Sequence, residues 1–333
     1  STLLINLIVS KSSQIRSLCL SIPPVFFTYF RDHGDVSWPM LSHLSLSNAD
    51  VLDAVKFSLP DPLTTFQSSP LLRQVSILRF YVCLFVLPWN EIQSLLLENP
   101  TLEEVSETIA LAPSLQRLVV RQAVVTRCDD VQGSPFTHDA LQCLDIELSR
   151  AGGSCDDFVE MLQTLILPSL QQLSLVLTND DSIFDIFLLH PIVAQSHFSL
   201  QLLSLADGWL SESDIIRTLA LPPSLQCIRL SNIRWSIPTQ SMTSGLFERL
   251  VDKKRSIVPV LIELELHRMS VSFSPEQITC FLKNFWGPEG MRRCLRRFPL
   301  WGWGDTWVLE ESHVKEFAKW EEAGYDVLVN EGG

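Results

Sequence analysis

Apolar residues recur along this chain in one short phrase, Leu-x-x-Leu-x-Leu, with polar residues between them. A proline or serine usually precedes the phrase, as in APSLQRLVV, LPSLQQLSL and PPSLQCIRL. The last residues of each phrase alternate apolar and polar, which predicts a short strand with one buried face. In the phrase that begins at Leu170, we expect Leu173 and Leu175 to point into a core. Gln172 and Ser174 are expected to point outward.

The phrase returns ten or eleven times, so the chain is built from repeats. The first apolar residues of the phrases are Ile15, Leu41, Leu72, Ile92, Leu115, Leu141, Leu170, Leu200, Leu225, Leu261 and Leu295. They are separated by 20 to 36 residues, which marks the repeats as degenerate. This phrase at this period is typical of leucine-rich repeats, whose stacked neighbours bury one another's apolar sides.

We therefore predict an α/β fold, a leucine-rich-repeat solenoid with parallel strands on the concave face and helices on the convex face. One solenoid of about 10–11 degenerate repeats is expected to span residues 1–333. An ordinary doubly wound α/β domain is the alternative, and the stereotyped strand phrase favours the solenoid.

Helix signals lie between the phrases. Thr101 is followed three residues later by Glu104, a capping box that predicts a helix to about Ala110. Ser274 and Pro275 provide an N-cap and a proline at the first helical position. Further helices are predicted after Ser154, from Ser211 and from Thr243.

Residues 296–333 are predicted to cap the last repeat. A terminal helix from Glu310 to Glu322 is expected to turn Val314, Phe317 and Ala318 inward. Tryptophans cluster around this region at Trp286, Trp301, Trp303 and Trp307. These side chains suit either a hydrophobic cap or an anchor in a protein interface, and capping is the preferred interpretation.

The amino-acid composition argues against several classes of function. The chain has 46% hydrophobic and 19% charged residues and a formal net charge of −13. An acidic chain is a poor ligand for nucleic acid, because phosphate contacts need clustered lysine and arginine. No run of about 18 apolar residues predicts a membrane span. The eight cysteines form no C-x-x-C pair and no zinc-binding spacing. We expect several of them to be buried in strands or helices as free thiols. Free thiols indicate a reducing compartment, so an intracellular protein of the cytoplasm or nucleus is expected.

The sequence contains no recognisable catalytic signature. Phosphate-binding, dinucleotide-binding, metalloprotease and hydrolase motifs are all missing, and the seven histidines are scattered. We therefore predict a non-enzymatic protein with no cofactor and no metal site. A Cys–His pair assembled only in the fold, or a site within residues 231–295, is the enzymatic alternative.

Outward strand positions define the candidate binding site, a concave face for a protein partner. The candidates are Arg117, Arg121, Asp145, Glu147, Arg229, Glu263, Glu265, His267, Arg297 and Trp301. Basic and acidic side chains lie beside one another on neighbouring strands. They are expected either to pair across the sheet or to offer polar complementarity to a partner.

Several phrases resemble a known family. QIRSLCLSIP before WPMLSHLSLSN, SSPLLRQVSILRF before VLPWNEIQSL, and the closing HVKEFAKWEEAGYDVLV resemble leucine-rich-repeat proteins that accompany F-box domains in mushroom-forming fungi. The resemblance implies the substrate-recognition repeats of a ubiquitin-ligase receptor. No F-box segment is visible in residues 1–333, so the ligase adaptor is expected as a partner only if an F-box lies upstream. A stand-alone leucine-rich-repeat binding protein with no ubiquitin role is the alternative.

Overall fold

The computed structural model divides the chain into two compact units, Ser1–Ser169 and Leu170–Gly333. The residues that the structure describes are 2–31, 33, 36–49, 62–125, 135–149, 155–177, 199–207, 209–210, 212–220, 224–235, 249–250, 260–267, 275–286, 295, 297–301, 311–327 and 329–330. The helix predicted from Thr243 lies largely outside these residues.

Parallel strands form the main sheet of the first unit. Its strands, in spatial order, are β1 (Ser17–Ile22), β2 (His43–Asn48), β3 (Gln74–Leu78), β4 (Ser94–Glu98), β5 (Arg117–Ala123) and β7 (Cys143–Leu148). A second, two-stranded sheet joins β6 (Phe136–Thr137) to β8 (Leu165–Ile166). The helices are α1 (Thr2–Ser10), α2 (Thr28–Arg31), α3 (Leu102–Leu111) and α4 (Cys155–Gln163).

The second unit repeats this arrangement. Its main-sheet strands, in spatial order, are β9 (Gln172–Leu177), β10 (Leu202–Ala206), β12 (Cys227–Ser231), β14 (Glu263–His267), β15 (Leu300–Trp301) and β16 (Val329–Asn330). A two-stranded sheet joins β11 (Trp209–Leu210) to β13 (Arg234–Trp235). The helices are α5 (Glu212–Leu219), α6 (Pro275–Trp286) and α7 (Glu311–Glu322).

The strand register follows the sequence phrase, and this confirms the predicted α/β leucine-rich-repeat fold. Fourth-position residues align across strands, as Leu95 with Leu118 and Leu203 with Ile228. The first apolar residue is buried in every phrase except that of Ile15, which is half-buried and lies two residues before the first strand. Neighbouring phrases thus bury one another's apolar sides, as the solenoid prediction requires.

Three predicted helix starts are confirmed. The Thr101 side chain accepts a hydrogen bond from the Glu104 N–H, and the Glu104 carboxylate accepts one from the Thr101 N–H. Helix α3 therefore has a complete capping box. Helix α6 begins at Pro275 and α4 at Cys155, as the sequence predicted.

Left-handed backbone conformation recurs where strands end. It occurs at the non-glycine residues Arg79, Asn99, Gln122, Asp207 and Asn232, with φ between 51° and 62°. The Asn99 N–H donates to the Arg121 carbonyl of the next strand at 2.8 Å. The Asn232 N–H donates to the His267 carbonyl at 2.7 Å. These bonds give the end of one repeat a backbone partner in the next, which offsets the conformational cost.

Two sequence expectations are wrong in detail. In helix α7, Phe317 is buried as predicted, but Val314 is 50% exposed and Ala318 is exposed, and the helix buries His313 and Trp320 beside Phe317. The buried residues are spaced i, i+4 and i+7, so the packed face lies one residue away from the predicted face. Several cysteines were expected in buried positions, but the thiols of Cys19, Cys83 and Cys280 are exposed. Cys19 occupies an outward strand position, which explains its exposure.

Candidate protein-binding face

The outward face of each main sheet consists of the third, fifth and seventh positions of the strand phrase. Their described side chains are half-buried or exposed, except that Pro299 in the last phrase is buried, whereas the described fourth and sixth positions are buried. Alternation along each strand causes this separation. In a leucine-rich-repeat fold this face lines the concave side of the horseshoe, where partners bind.

Charge on this outward face is concentrated late in each unit. In the first unit, strands β1 to β3 carry only uncharged residues at the third, fifth and seventh positions, and charges begin at Glu98, the last residue of β4, which pairs with Arg79 at 3.0 Å. In the second unit, β9 and β10 carry only uncharged residues there, and charges begin at Arg229 on β12. Each unit thus has an uncharged part and a charged part on the same face.

Arg121 holds together the cluster of the first unit. Its guanidinium lies 3.5 Å from Asp145 Oδ2 and 3.4 Å from Glu147 Oε2 on the neighbouring strand β7. The regular register between β5 and β7 is interrupted after Val120, and Gln122 has a left-handed backbone. The sequence placed Arg121 beside these two carboxylates, and the structure brings all three together.

Two arginines hold together the cluster of the second unit. Arg229 Nη2 lies 3.3 Å from Glu263 Oε1, and Arg229 Nε lies 3.1 Å from Glu265 Oε2 without hydrogen-bond geometry. Arg297 lies 3.8 Å from the same Glu263 oxygen and 3.2 Å from Asp326 Oδ2. The sequence did not predict Asp326 as a member, because it precedes the last strand outside any complete phrase.

Arg117 differs from the other outward-facing arginines. Its side chain is exposed, and it forms no ion pair with any residue in the described part of the chain. Its register neighbours are Ser94 on β4 and Cys143 on β7, neither of which is charged. A full positive charge therefore remains available on the outward face of the first unit.

The last two predicted members lie near the end of the second unit. His267 Nδ1 is 3.1 Å from the Ser231 hydroxyl oxygen, which pairs with it in the strand register. The backbone of Trp301 pairs with that of His267. The surroundings of the Trp301 side chain lie outside what the structure describes, as do Trp303 and Trp307. The choice between cap and interface anchor for the tryptophans therefore stays a prediction.

Two cysteines on this face have raised pKa values. Burial is the largest cause at Cys143, and it raises the pKa of that thiol. At Cys227, burial first and the negative charge of Glu263 second raise the pKa to about 11. The thiolate is the nucleophilic form of cysteine, so both side chains stay protonated and poorly reactive near neutral pH.

The described residues form no metal site and no membrane-spanning helix. In the described part of the chain, no group of three or more His, Cys, Asp or Glu side chains could hold a metal ion. None of the helices described is both long and apolar enough to cross a membrane.

Comparison with known proteins adds one structural likeness. No protein-family model matches the chain. No curated protein matches it either. Among solved structures, a leucine-rich-repeat protein of Leptospira interrogans is similar to this chain, with 15% sequence identity, a TM-score of 0.31 and coverage of 98% of each chain. This likeness is weak, and the fold assignment rests on the strand register.

Proposed function

We propose that this protein is an interaction scaffold that holds a partner protein on the outward strand face. The observation that carries the proposal is that Arg117 has no ion-pair partner among the described residues, whereas Arg121, Arg229 and Arg297 on the same kind of face are paired with carboxylates. Arginine is enriched among the residues that anchor protein interfaces. Arg117 would therefore bind a carboxylate of the partner.

The two clusters of paired charges would give this interface side chains whose positions are fixed before a partner binds. Asp145 and Glu147 share one arginine, as do Glu263 and Glu265, so each cluster keeps a defined geometry before any partner arrives. A preorganised polar surface loses less conformational entropy on binding. The proposed binding surface would thus combine one arginine that is free to bind the partner with neighbouring side chains that are already fixed in place. It consists of Arg117, Arg121, Asp145, Glu147, Arg229, Glu263, Glu265, His267, Arg297 and Trp301.

Within this role, we propose that the chain is the substrate-recognition repeat region of an F-box-type ubiquitin-ligase receptor. The resemblance of its repeat phrases, including HVKEFAKWEEAGYDVLV, to F-box-associated repeat proteins supports this assignment. The ligase adaptor would then bind an F-box upstream of this chain, and the outward face would bind the substrate. Such a receptor acts inside the cell, in the cytoplasm or nucleus.

Affinity purification of the full-length protein from its host cells, followed by mass spectrometry, tests this assignment. We expect a ubiquitin-ligase adaptor and a cullin among the recovered proteins, together with candidate substrates. Recovery of a partner without adaptor or cullin would favour the alternative, a stand-alone repeat protein with no ubiquitin role.

The Arg117→Glu variant tests the binding face itself. Because Arg117 is exposed and has no ion-pair partner in the described residues, the melting temperature should not change. Replacing the anchor's charge should weaken binding of the recovered partner by about tenfold or more. The matched control is Arg16→Glu, which reverses an exposed arginine of the same unit outside the outward face. Retention of the partner by Arg117→Glu at the wild-type level would refute the proposed anchor.

A further inference from the structure

Glutamine occupies the second phrase position in six successive repeats. These residues are Gln93, Gln116 and Gln142 in the first unit, and Gln171, Gln201 and Gln226 in the second. The repeats differ in length and in most other exposed residues, so a common amide at one position stands out from the surrounding variation. We call the three residues of the first unit the glutamine row.

Backbone hydrogen bonds hold the glutamine row in strict register. The Gln93 carbonyl accepts from the Gln116 N–H at 2.8 Å and from the Arg117 N–H at 3.0 Å. The Gln116 carbonyl accepts from the Gln142 and Cys143 N–H groups, each at 2.9 Å. The three residues therefore lie side by side, each directly before its strand, and neighbouring strands are about 4.8 Å apart.

The side chains of the glutamine row have open hydrogen-bonding groups. All three are exposed, and none forms a side-chain hydrogen bond with another described residue. Each carboxamide offers two N–H donors and one acceptor oxygen. The row is also uncharged, and the preceding residue at the same position, Arg73, is neutralised by Glu91 at 2.9 Å.

We propose that the glutamine row binds an uncharged, proline-rich peptide in the polyproline II conformation, laid across the strands. The backbone of such a helix has no internal hydrogen bonds, so its carbonyls need partners that an amide can supply. One turn advances about 9.3 Å, close to two strand spacings of about 4.8 Å. Carbonyls one turn apart thus face Gln93 and Gln142. The carbonyls between them point about 120° to either side, so Gln116, which lies midway, reaches one of them with the flexible end of its side chain.

A tryptophan lies at one end of the glutamine row. Trp89 is half-buried and precedes Gln93 by four residues, on the short 3-10 helix Trp89–Glu91 that enters β4. At the equivalent position of another phrase, Trp38 is fully buried. Partial exposure of an indole suits the packing of proline rings, which aromatic side chains recognise in other polyproline II sites. This surface goes beyond the proposed function, because it uses none of the outward-face candidates.

Fluorescence anisotropy of a fluorescein-labelled decaproline peptide, titrated with the full chain, tests the proposal. We expect saturable binding by the wild type. The triple variant Q93A/Q116A/Q142A should bind about tenfold more weakly or worse, since it loses the amide donors. The single variant Gln116→Ala, which perturbs the surface least, should bind about threefold more weakly.

Two controls make the outcome decisive. Gln67→Ala removes an exposed glutamine outside the row and should bind like the wild type. A labelled decapeptide of alternating glycine and serine should bind about tenfold more weakly, because it is flexible and must be ordered on binding. Absence of saturable decaproline binding, unchanged binding by the triple variant, or equal binding of both peptides would each overturn the proposal.

Discussion

The two units carry similar inward faces and different outward faces. In both, the fourth and sixth phrase positions are apolar and buried wherever the structure describes them, and an arginine lies opposite two carboxylates on the next strand. In the second unit, the other outward arginine is also paired, because Asp326 lies 3.2 Å from Arg297. In the first unit, Arg117 has only uncharged register neighbours.

This difference distinguishes charged side chains that are paired within the sheet from charged side chains that remain free to bind a partner. Cross-strand ion pairs satisfy side chains within the sheet, and each is worth only a fraction of a kcal/mol to about 1 kcal/mol. A charge whose neighbours cannot pair with it contributes little to folding and remains open to a partner. We therefore expect the paired outward arginines to contribute slightly to stability and Arg117 to contribute to binding. The buried inward residues should contribute most to stability.

The largest expected effect comes from the inward face, where the two units agree. Leu173→Asp buries a carboxylate with no partner at a position that is 1% exposed, so it should cost about 3 kcal/mol or more and lower the melting temperature. The matched control is Ser174→Asp, one residue along the same strand on the outward face. Asp145 already occupies the equivalent outward position in the first unit, so the control should fold normally. Equal melting temperatures for the two variants would show that the strand register is wrong.

Much of the inward face could be predicted from sequence. The phrase places Leu173 and Leu175 at alternate positions, and alternation along a strand decides burial without knowledge of the neighbours. The capping box of α3 could be predicted as well, because both of its partners, Thr101 and Glu104, lie within four residues. Most of the fold could therefore be predicted from short sequence patterns.

The outward face depends on contacts that no local pattern contains. Asp326 meets Arg297 only because the last strand pairs with its neighbour across an intervening helix. The packed face of α7 was predicted one residue away, since apolar Val314 looks like a core residue until the helix is docked. Whether Arg117 is paired depends in the same way on residues of adjacent repeats.

A smaller effect is expected from a helix cap that joins two repeats in the first unit. Glu104 Oε2 accepts from the Thr101 N–H, and Oε1 accepts from the Val82 N–H, both at 2.9 Å. Glu104→Gln keeps one acceptor oxygen, so one buried N–H loses its partner at a cost of about 1–2 kcal/mol. Urea unfolding should show this loss, and Glu103→Gln, an exposed neighbour in the same helical turn, should show almost none. Similar midpoints for both variants would mean that the cap does not stabilise the unit.

The smallest effects should come from the arginines that organise the two clusters. Arg229→Met should cost about 1 kcal/mol and Arg121→Met about 0.5 kcal/mol, measured by urea unfolding at low salt. The order follows from the distances, which are 3.1 and 3.3 Å for Arg229 but 3.4 and 3.5 Å for Arg121. High salt should narrow both differences from the wild type, because screening weakens exposed ion pairs. Arg117 has no ion pair to lose among the described residues, so Arg117→Met should leave the free energy of unfolding almost unchanged. A loss as large as that of either other variant would show that the paired and unpaired arginines do not differ in stability.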